Sequence, residues 1–192
     1  SDATIPCNQA VPFVPRSPPH QRPSPVDYRQ NSGSFYVHDI YAGAGLAGVP
    51  RGAIKKLRVI ALDFRPAGVG NNGSVGPSGE ALVCTPIAIG NGSWDVKKVL
   101  GDATVYEDGS AYFHAPARTP VYFQALDEKN RAVQTMRSWA TLQPAENQAC
   151  IGCHESKNQT PPVGRGVLTQ ALRQGPQALA PFYGPPRGFS FT

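Results

Sequence analysis

Short β-rich runs, separated by turn-forming residues at intervals of roughly ten, dominate the middle of this chain. Glycine and proline, 20 of each in 192 residues, interrupt the chain too often for long helices. The predicted strands are residues 35–41, 54–64, 81–89, 94–100, 104–107, 110–114, 121–126 and 132–139. Regularly spaced short strands are typical of antiparallel sandwiches, so we predict a mainly β domain, an antiparallel β-sandwich, over residues 34–140.

Two turn signals predict hairpins within this domain. Asp108-Gly109 lies between two β-rich runs, and glycine tolerates the positive φ of a type I′ turn. A second hairpin is predicted around residues 127–130. Within the run 54–64, alternation places Leu57, Val59 and Ala61 on one face.

Proline-rich segments flank the predicted sandwich. Residues 1–33 contain seven prolines, so we expect an extended arm that lies across the domain, the alternative being a disordered linker. Residues 141–192 form a short helical or irregular segment with one predicted helix, 166–174, which ends before Gly175-Pro176. Together the three segments make one domain, which we expect to belong to a longer protein.

The charge pattern excludes some partners. The net charge is +5 and the pI about 9.2, but the basic residues are scattered rather than clustered with aromatics, so we expect no nucleic-acid partner. No run of about 18 apolar residues occurs, so we expect no membrane span.

Cys150-Ile-Gly-Cys153-His154 matches the pattern of c-type haem attachment. Two thiols three residues apart can form thioethers to the two vinyl groups of one porphyrin, and the adjacent histidine can be the proximal iron ligand. The motif therefore predicts one covalent haem c held by Cys150, Cys153 and His154. Covalent haem is attached outside the cytoplasm, so we expect a bacterial periplasmic or otherwise exported protein.

Three other interpretations of the motif remain. A thioredoxin-like Cys-x-x-Cys needs a βαβ context, which this region lacks. A structural zinc site needs four ligands, and no second pair follows the motif. A disulfide between Cys150 and Cys153 would leave His154 without a role.

Several motifs in order resemble the middle domain of hydrazine synthase alpha subunits and of related multidomain proteins. The matching stretches are residues 48–59, 92–97, 107–111, 116–127, 136–139 and 150–155. The resemblance implies a β-rich domain with one covalent haem inside a longer exported polypeptide. In that family a tyrosine four residues after the motif histidine binds the iron. The histidine and an early cysteine hold zinc.

Here Asn158 stands where the family has its tyrosine, so the resemblance implies neither that ligand nor hydrazine formation. His154 then returns to the ordinary proximal role. Cys7 corresponds to the zinc-binding cysteine, and we predict it as the distal iron ligand. A disulfide to Cys84 and zinc binding by Cys7 and His154 remain alternatives. The candidates for the distal position are Cys7, Cys84, His20, His38, His114 and Met136. For Met136 we expect a packing role instead, and for the strand histidines, His38 and His114, a hydrogen-bonded role.

A six-coordinate haem favours electron transfer or redox sensing, with a redox partner protein or neighbouring domains of the same polypeptide as partners. We predict no catalytic residue. An enzyme with a five-coordinate haem that acts on small nitrogen compounds or peroxide is the alternative. A third interpretation is an interaction module in which haem is a structural staple.

Overall fold

A computed structural model describes residues 14–15, 23–63, 96–154 and 168–182. Cys7, Cys84, His20, Asn158 and the predicted strand 81–89 lie outside these residues. The described part contains seven strands and one helix: β1 (Ser32–Val37), β2 (Lys56–Asp63), β3 (Val96–Thr104), β4 (Ala111–Pro116), β5 (Val121–Leu126), β6 (Ala132–Thr135), β7 (Asn147–Cys150) and α1 (Gln170–Gln174).

The strands form two sheets. A three-stranded sheet has the order β4-β1-β7, in which β1 pairs antiparallel with β4 and parallel with β7. A four-stranded sheet has the order β3-β2-β5-β6 and is antiparallel throughout. The predicted mainly β sandwich is therefore confirmed.

Three phenylalanines from the two sheets meet in the core. Phe35 and Phe113 belong to the three-stranded sheet and Phe123 to the four-stranded sheet. Their ring centroids lie 5.1–5.9 Å apart, with near-perpendicular rings in the two pairs that include Phe123. Edge-to-face packing of this kind adds to the free energy of burying the rings. The two sheets thus pack face to face across this cluster.

Strand β2 is buried on both faces. Leu57, Val59 and Ala61 face the shared core, as predicted. The opposite side chains, Ile60 and Leu62, are also buried, and Met136 packs partly against them. A central strand covered on both sides carries a continuous apolar run, so alternation identifies only one of its faces. The packing role predicted for Met136 is confirmed.

The Asp108-Gly109 turn does not form the predicted hairpin. The turn itself is present, with Gly109 at φ 84 and the Tyr106 N–H donating to the Ser110 carbonyl at 2.9 Å. The residues before the turn bond to the segment that leads into β2, because the Val105 N–H donates to the Lys55 carbonyl. The residues after the turn pair with β1, where Ala111 lies opposite Val37. The turn therefore connects the two sheets.

The second predicted hairpin is confirmed. Strands β5 and β6 pair antiparallel, with Gln124 opposite Thr135. Asn130 closes the turn at φ 59, a left-handed conformation that asparagine tolerates better than most residues.

Residues 175–182, here called the strap, join β3 to β4 along one side of the sandwich. The Asp102 and Ala180 backbones exchange hydrogen bonds of 2.9 and 2.8 Å. Gln177 bonds the Tyr112 and His114 backbones of β4, and its side-chain amide bonds both backbone groups of Thr104 in β3. We call this the strap side of the sandwich.

Helix α1 precedes the strap, within the helix predicted over residues 166–174 and shorter than it. Thr169 is its N-cap and accepts the Leu172 N–H, and Gly175 ends it at φ 77. Asp108 and Ser110 accept the N–H groups of Gln170 and Ala171 at 2.7 and 3.0 Å. The Asp108-Gly109 turn thus fixes the start of the helix.

Candidate functional site

The Cys-x-x-Cys-His motif begins in an edge strand. Cys150 is the last residue of β7, opposite Val37 in the parallel register. The pairing continues beyond the strand, because the N–H groups of His38 and Asp39 donate to the carbonyls of Cys150 and Ile151, each at 2.9 Å. The short helical or irregular conformation predicted over residues 141–192 is wrong at Cys150, which lies in a strand. The chain turns only from Gly152 onward.

The two motif thiols lie at the rim of the core. Cys150 shares the inward face of the sheet with Val37, and both Cys150 and Cys153 are half-buried against the core cluster. They are not joined to each other by a disulfide. Each of these residues therefore contacts the core on one side and keeps part of its surface exposed.

Two glycines allow the motif to approach the neighbouring loop, residues 39–45. A side chain on Gly152 would collide with the backbone oxygen of Ala42, and one on Gly45 would meet the Cys153 Sγ at 2.6 Å. Backbone bonds fix this contact, since the Cys153 N–H donates to Ile40 and the Gly45 N–H to Cys153. The contact requires glycine at both positions, and haem-attachment spacing alone does not reveal this.

His154 follows in the left-handed region at φ 63 and is exposed. Histidine is among the residues that adopt this conformation more often than most, at a modest energetic cost. The position four residues later, Asn158, lies outside the described residues.

Asp39 connects the motif to the rest of the sandwich. Its carboxylate accepts the Tyr41 N–H at 3.1 Å and the Arg51 Nη1 at 2.8 Å. Arg51 lies over the Tyr41 ring, 5.0 Å from its centroid, and donates to the Asp108 carbonyl. The hydrogen bond with Asp39 raises the pKa of the Arg51 guanidinium above its ordinary value. Neither residue belongs to the motif, and sequence reasoning missed both.

The edge strand of the other sheet also contacts this loop. Gln134 of β6 donates its side-chain amide to the Gly45 carbonyl at 2.7 Å. The loop therefore lies between β6 and β7, on the side of the sandwich opposite the strap, which we call the motif side. No strand of the described part pairs with the outer edge of either β6 or β7.

The two strand histidines have different surroundings. The His38 Nδ1 lies 3.1 Å from the Tyr36 hydroxyl, which lies 2.9 Å from the Thr169 hydroxyl. This agrees with the hydrogen-bonded role expected of His38. His114 is exposed on β4. The structure brings His38 beside the motif through its backbone, and keeps His114 on the strap side.

Two further observations concern the described residues alone. They contain no group of three or more His, Cys, Asp or Glu side chains that could hold a metal ion. None of their helices is long and apolar enough to cross a membrane.

The fold and the site define a β-sandwich domain with a Cys-x-x-Cys-His motif at the end of an edge strand. Residues 52–155 match the family model of the hydrazine synthase alpha subunit middle domain. The chain belongs to this family, and the resemblance seen in its motifs is confirmed.

Known relatives are much longer than this chain. The hydrazine synthase subunit alpha of Kuenenia stuttgartiensis is 39% identical over 56 residues, which is 29% of this chain and 7% of that protein. The solved structure of hydrazine synthase from the same organism matches with a TM-score of 0.55 at 24% identity, covering 76% of this chain and 20% of that one. The structural match shows a shared fold, and the chain spans only a small part of either relative.

Proposed function

We propose that this chain is a mono-haem c-type domain of a larger exported protein and serves electron transfer or redox sensing. Cys150 and Cys153 hold the haem through thioethers, and His154 is the proximal iron ligand. The observation that carries the proposal is the placement of two half-buried cysteines, three residues apart, at the rim of an apolar core, with an exposed histidine directly after the second cysteine.

The donor set fits this cofactor. Each thiol would add across one vinyl group of the haem: the S–H bond and the carbon–carbon π bond would break, sulfur would bond to one vinyl carbon and hydrogen to the other, and no external oxidant would be needed. Cys150 and Cys153 keep part of their surface accessible for that addition, while their inner side contacts the core. The apolar side excludes water, which affects the reduction potential. Bound haem supplies a one-electron iron couple.

Cys7 is the proposed distal ligand, and chain length supports this. Residue 27 of the arm is held beside the start of β7, because the Asp27 N–H donates to the Pro144 carbonyl at 3.1 Å. Nineteen residues separate Cys7 from Asp27. At about 3.3 Å per residue, an extended arm of that length exceeds the length of β7 several times over. A thiolate ligand would lower the potential and close the site to substrates.

Membership in the hydrazine synthase alpha family favours a second candidate. In it, the haem keeps an open distal face and the parent protein acts on a small nitrogen compound or on peroxide. Cys7 then binds zinc with His154 or forms a disulfide with Cys84. Zinc binding is the weaker alternative, because His154 cannot serve iron and zinc at once.

Haem staining after denaturing electrophoresis tests the central proposal. The chain, produced in a bacterium with exported haem-attachment machinery, is expected to stain, and a Cys150→Ser/Cys153→Ser variant is not. Cys84→Ser is the matched control and is expected to stain normally. Absence of covalent haem from the unsubstituted chain contradicts the proposal.

Optical spectroscopy separates the two candidates. A low-spin ferric spectrum with a thiolate band that Cys7→Ser removes supports the distal cysteine and electron transfer. If Cys7 instead forms a disulfide with Cys84, both serine variants lose the same stability and neither changes the spectrum. A high-spin spectrum that responds to added ligands contradicts electron transfer and favours the enzyme.

A further inference from the structure

Asp39 holds together three segments that meet below the motif. Its side chain accepts hydrogen bonds from the Tyr41 N–H and from Arg51, and it lies against Gly109 so closely that any larger residue there would collide with its carboxylate. Arg51 extends the connection to the Asp108 carbonyl at 3.0 Å. The Asp39 side chain is 25% exposed and that of Arg51 57%.

The backbone of the same residue contacts the motif. The Asp39 N–H donates to the Ile151 carbonyl, and its own carbonyl lies 2.7 Å from where a Gly152 side chain would begin. It also accepts the Ala42 N–H at 2.9 Å, which starts the loop that contacts Cys153. The bonds of the Asp39 side chain thus fix the position of the Asp39 backbone, which contacts the motif at Ile151 and Gly152.

We propose that Asp39, locked by Arg51, is a positioning residue that sets the exposure of the Cys150 and Cys153 thiols before haem is attached. This inference deepens the proposed function, and its consequence for haem attachment depends on that function. Its consequence for the thiols themselves does not, because they are present in the haem-free chain.

The chain contains a matched control in the β5–β6 turn. The Asp127 carboxylate accepts the N–H groups of Lys129 and Arg131 and the Nε of Arg131 at 2.8 Å. It is also an aspartate that organises a turn and pairs with an arginine, but it lies in the other sheet. Asp39→Asn and Asp127→Asn therefore remove the same charge and the same kind of ion pair in two places.

The experiment measures alkylation of Cys150 and Cys153, peptide by peptide, in haem-free protein made without attachment machinery. Cys7→Ser/Cys84→Ser serves as the background, so that only the motif thiols react. We expect Asp39→Asn and Arg51→Gln each to change the native alkylation rate at least fivefold and Asp127→Asn to leave it unchanged. The urea midpoint of each variant shows whether the sandwich remains folded.

Equal rates in Asp39→Asn, Arg51→Gln and the background overturn the inference, as does an equal change in Asp127→Asn. If Asp39→Asn fails to fold, Arg51→Gln decides, since it keeps the Asp39 carboxylate and its bond from the Tyr41 N–H and removes only the guanidinium. In haem-loaded protein, a several-fold lower stained fraction and a shifted reduction potential are expected for Asp39→Asn. Lack of haem in the unsubstituted chain refutes the proposed function, while the alkylation result still tests the positioning role.

Discussion

On the strap side, paired backbone bonds and both ends of the Gln177 amide join β3 to β4. On the motif side, a side-chain bond from Gln134 of β6 to the Gly45 carbonyl joins the four-stranded sheet to the loop after β1. Local opening has different free energies in different parts of a fold, and we expect a side joined through a side chain to open more readily than one joined through paired backbone bonds. The motif, whose thiols must be reached for covalent attachment under the proposed function, lies on that side.

The difference also concerns charge. A largely buried bidentate pair, Arg58 with Asp102, lies beneath the strap, and Arg58 also contacts the Phe182 ring at 4.1 Å from its centroid. The pair on the motif side, Asp39 with Arg51, is more exposed. Solvent screens exposed ion pairs, so we expect the pair beneath the strap to contribute more to stability than the pair on the motif side.

The largest loss of stability is expected from a substitution in the core, which should affect the strap side and the motif side equally because they share that core. Phe113 is fully buried and touches the rings of Phe35 and Phe123. Phe113→Ala is expected to lower the free energy of unfolding by about 3–5 kcal/mol and to loosen both sides together. Urea denaturation measures this. Phe182→Ala, at an exposed ring of the strap, is the control and should cost less than about 1 kcal/mol.

The second largest effect is expected where a buried ion pair is compared with an exposed one. Asp102→Asn removes one carboxylate from the largely buried bidentate pair with Arg58, and should lower the free energy of unfolding by about 2–3 kcal/mol in urea denaturation. Asp27 makes the same bidentate geometry with Arg29, whose side chain is 89% exposed. Asp27→Asn is therefore expected to leave the denaturation midpoint unchanged. Equal losses of unfolding free energy in the two variants would show that burial beneath the strap does not strengthen the Arg58–Asp102 pair.

Glycine substitutions test the close contacts on each side. A side chain on Gly101, at φ 149, would meet the Ala180 carbonyl at 2.5 Å, and one on Gly152 would meet Ala42. Gly101→Ala and Gly152→Ala should each cost about 1–3 kcal/mol by forced displacement. Amide exchange should locate the first effect in the strap and the second in the motif.

Gly48→Ala is the control for these two substitutions. Gly48 has φ 81 and open space around it, so alanine there meets only the conformational penalty, about 1 kcal/mol. A cost at Gly101 no larger than at Gly48 would exclude a steric role for the strap contact. Unchanged amide exchange in the motif region of Gly152→Ala would exclude a steric role for the contact between Gly152 and the loop.

Local sequence pattern predicted most strands but not all of their partners. Alternation placed Leu57 and Val59 correctly, because inward residues of a strand must be apolar. The Asp108-Gly109 signal reported the turn geometry correctly and its pairing wrongly. The partners of the segments before and after the turn are Lys55 and Val37, which are distant in sequence, so a local turn motif carries no information about them.

The site shows the same limit. The spacing of Cys150, Cys153 and His154 identifies the motif without any structure. Strand β7 has no apolar alternation and owes its conformation to parallel pairing with β1, a non-local contact. Asp39 and Arg51 form their pair across a loop, and nothing in either neighbourhood of the sequence marks them as partners.

The smallest effect concerns Asp108, which belongs to the turn between the two sides. Burial of its carboxylate would raise its pKa, but hydrogen bonds from the Gln170 N–H and from the Ser110 hydroxyl and N–H outweigh this, and the pKa lies below its ordinary value of 3.8. The charged form is thus bound more strongly in the folded state. Its contribution to stability is complete above the unfolded pKa and disappears as the pH falls through the lower, folded one.

Asp108→Ala should therefore cost about 1 kcal/mol at neutral pH, since the Gln170 N–H at the start of α1 loses its acceptor, and less at a pH below the folded pKa. Asp108→Asn retains an acceptor and should lose mainly the pH dependence. Urea midpoints of both variants between neutral and strongly acidic pH measure this. The Asp108 side chain accepts the Gln170 N–H of α1, whereas its backbone carbonyl accepts Arg51. Substitution of the side chain should therefore affect only the contact with the helix. A change in thiol alkylation in Asp108→Asn would mean that the two sides are coupled through this turn.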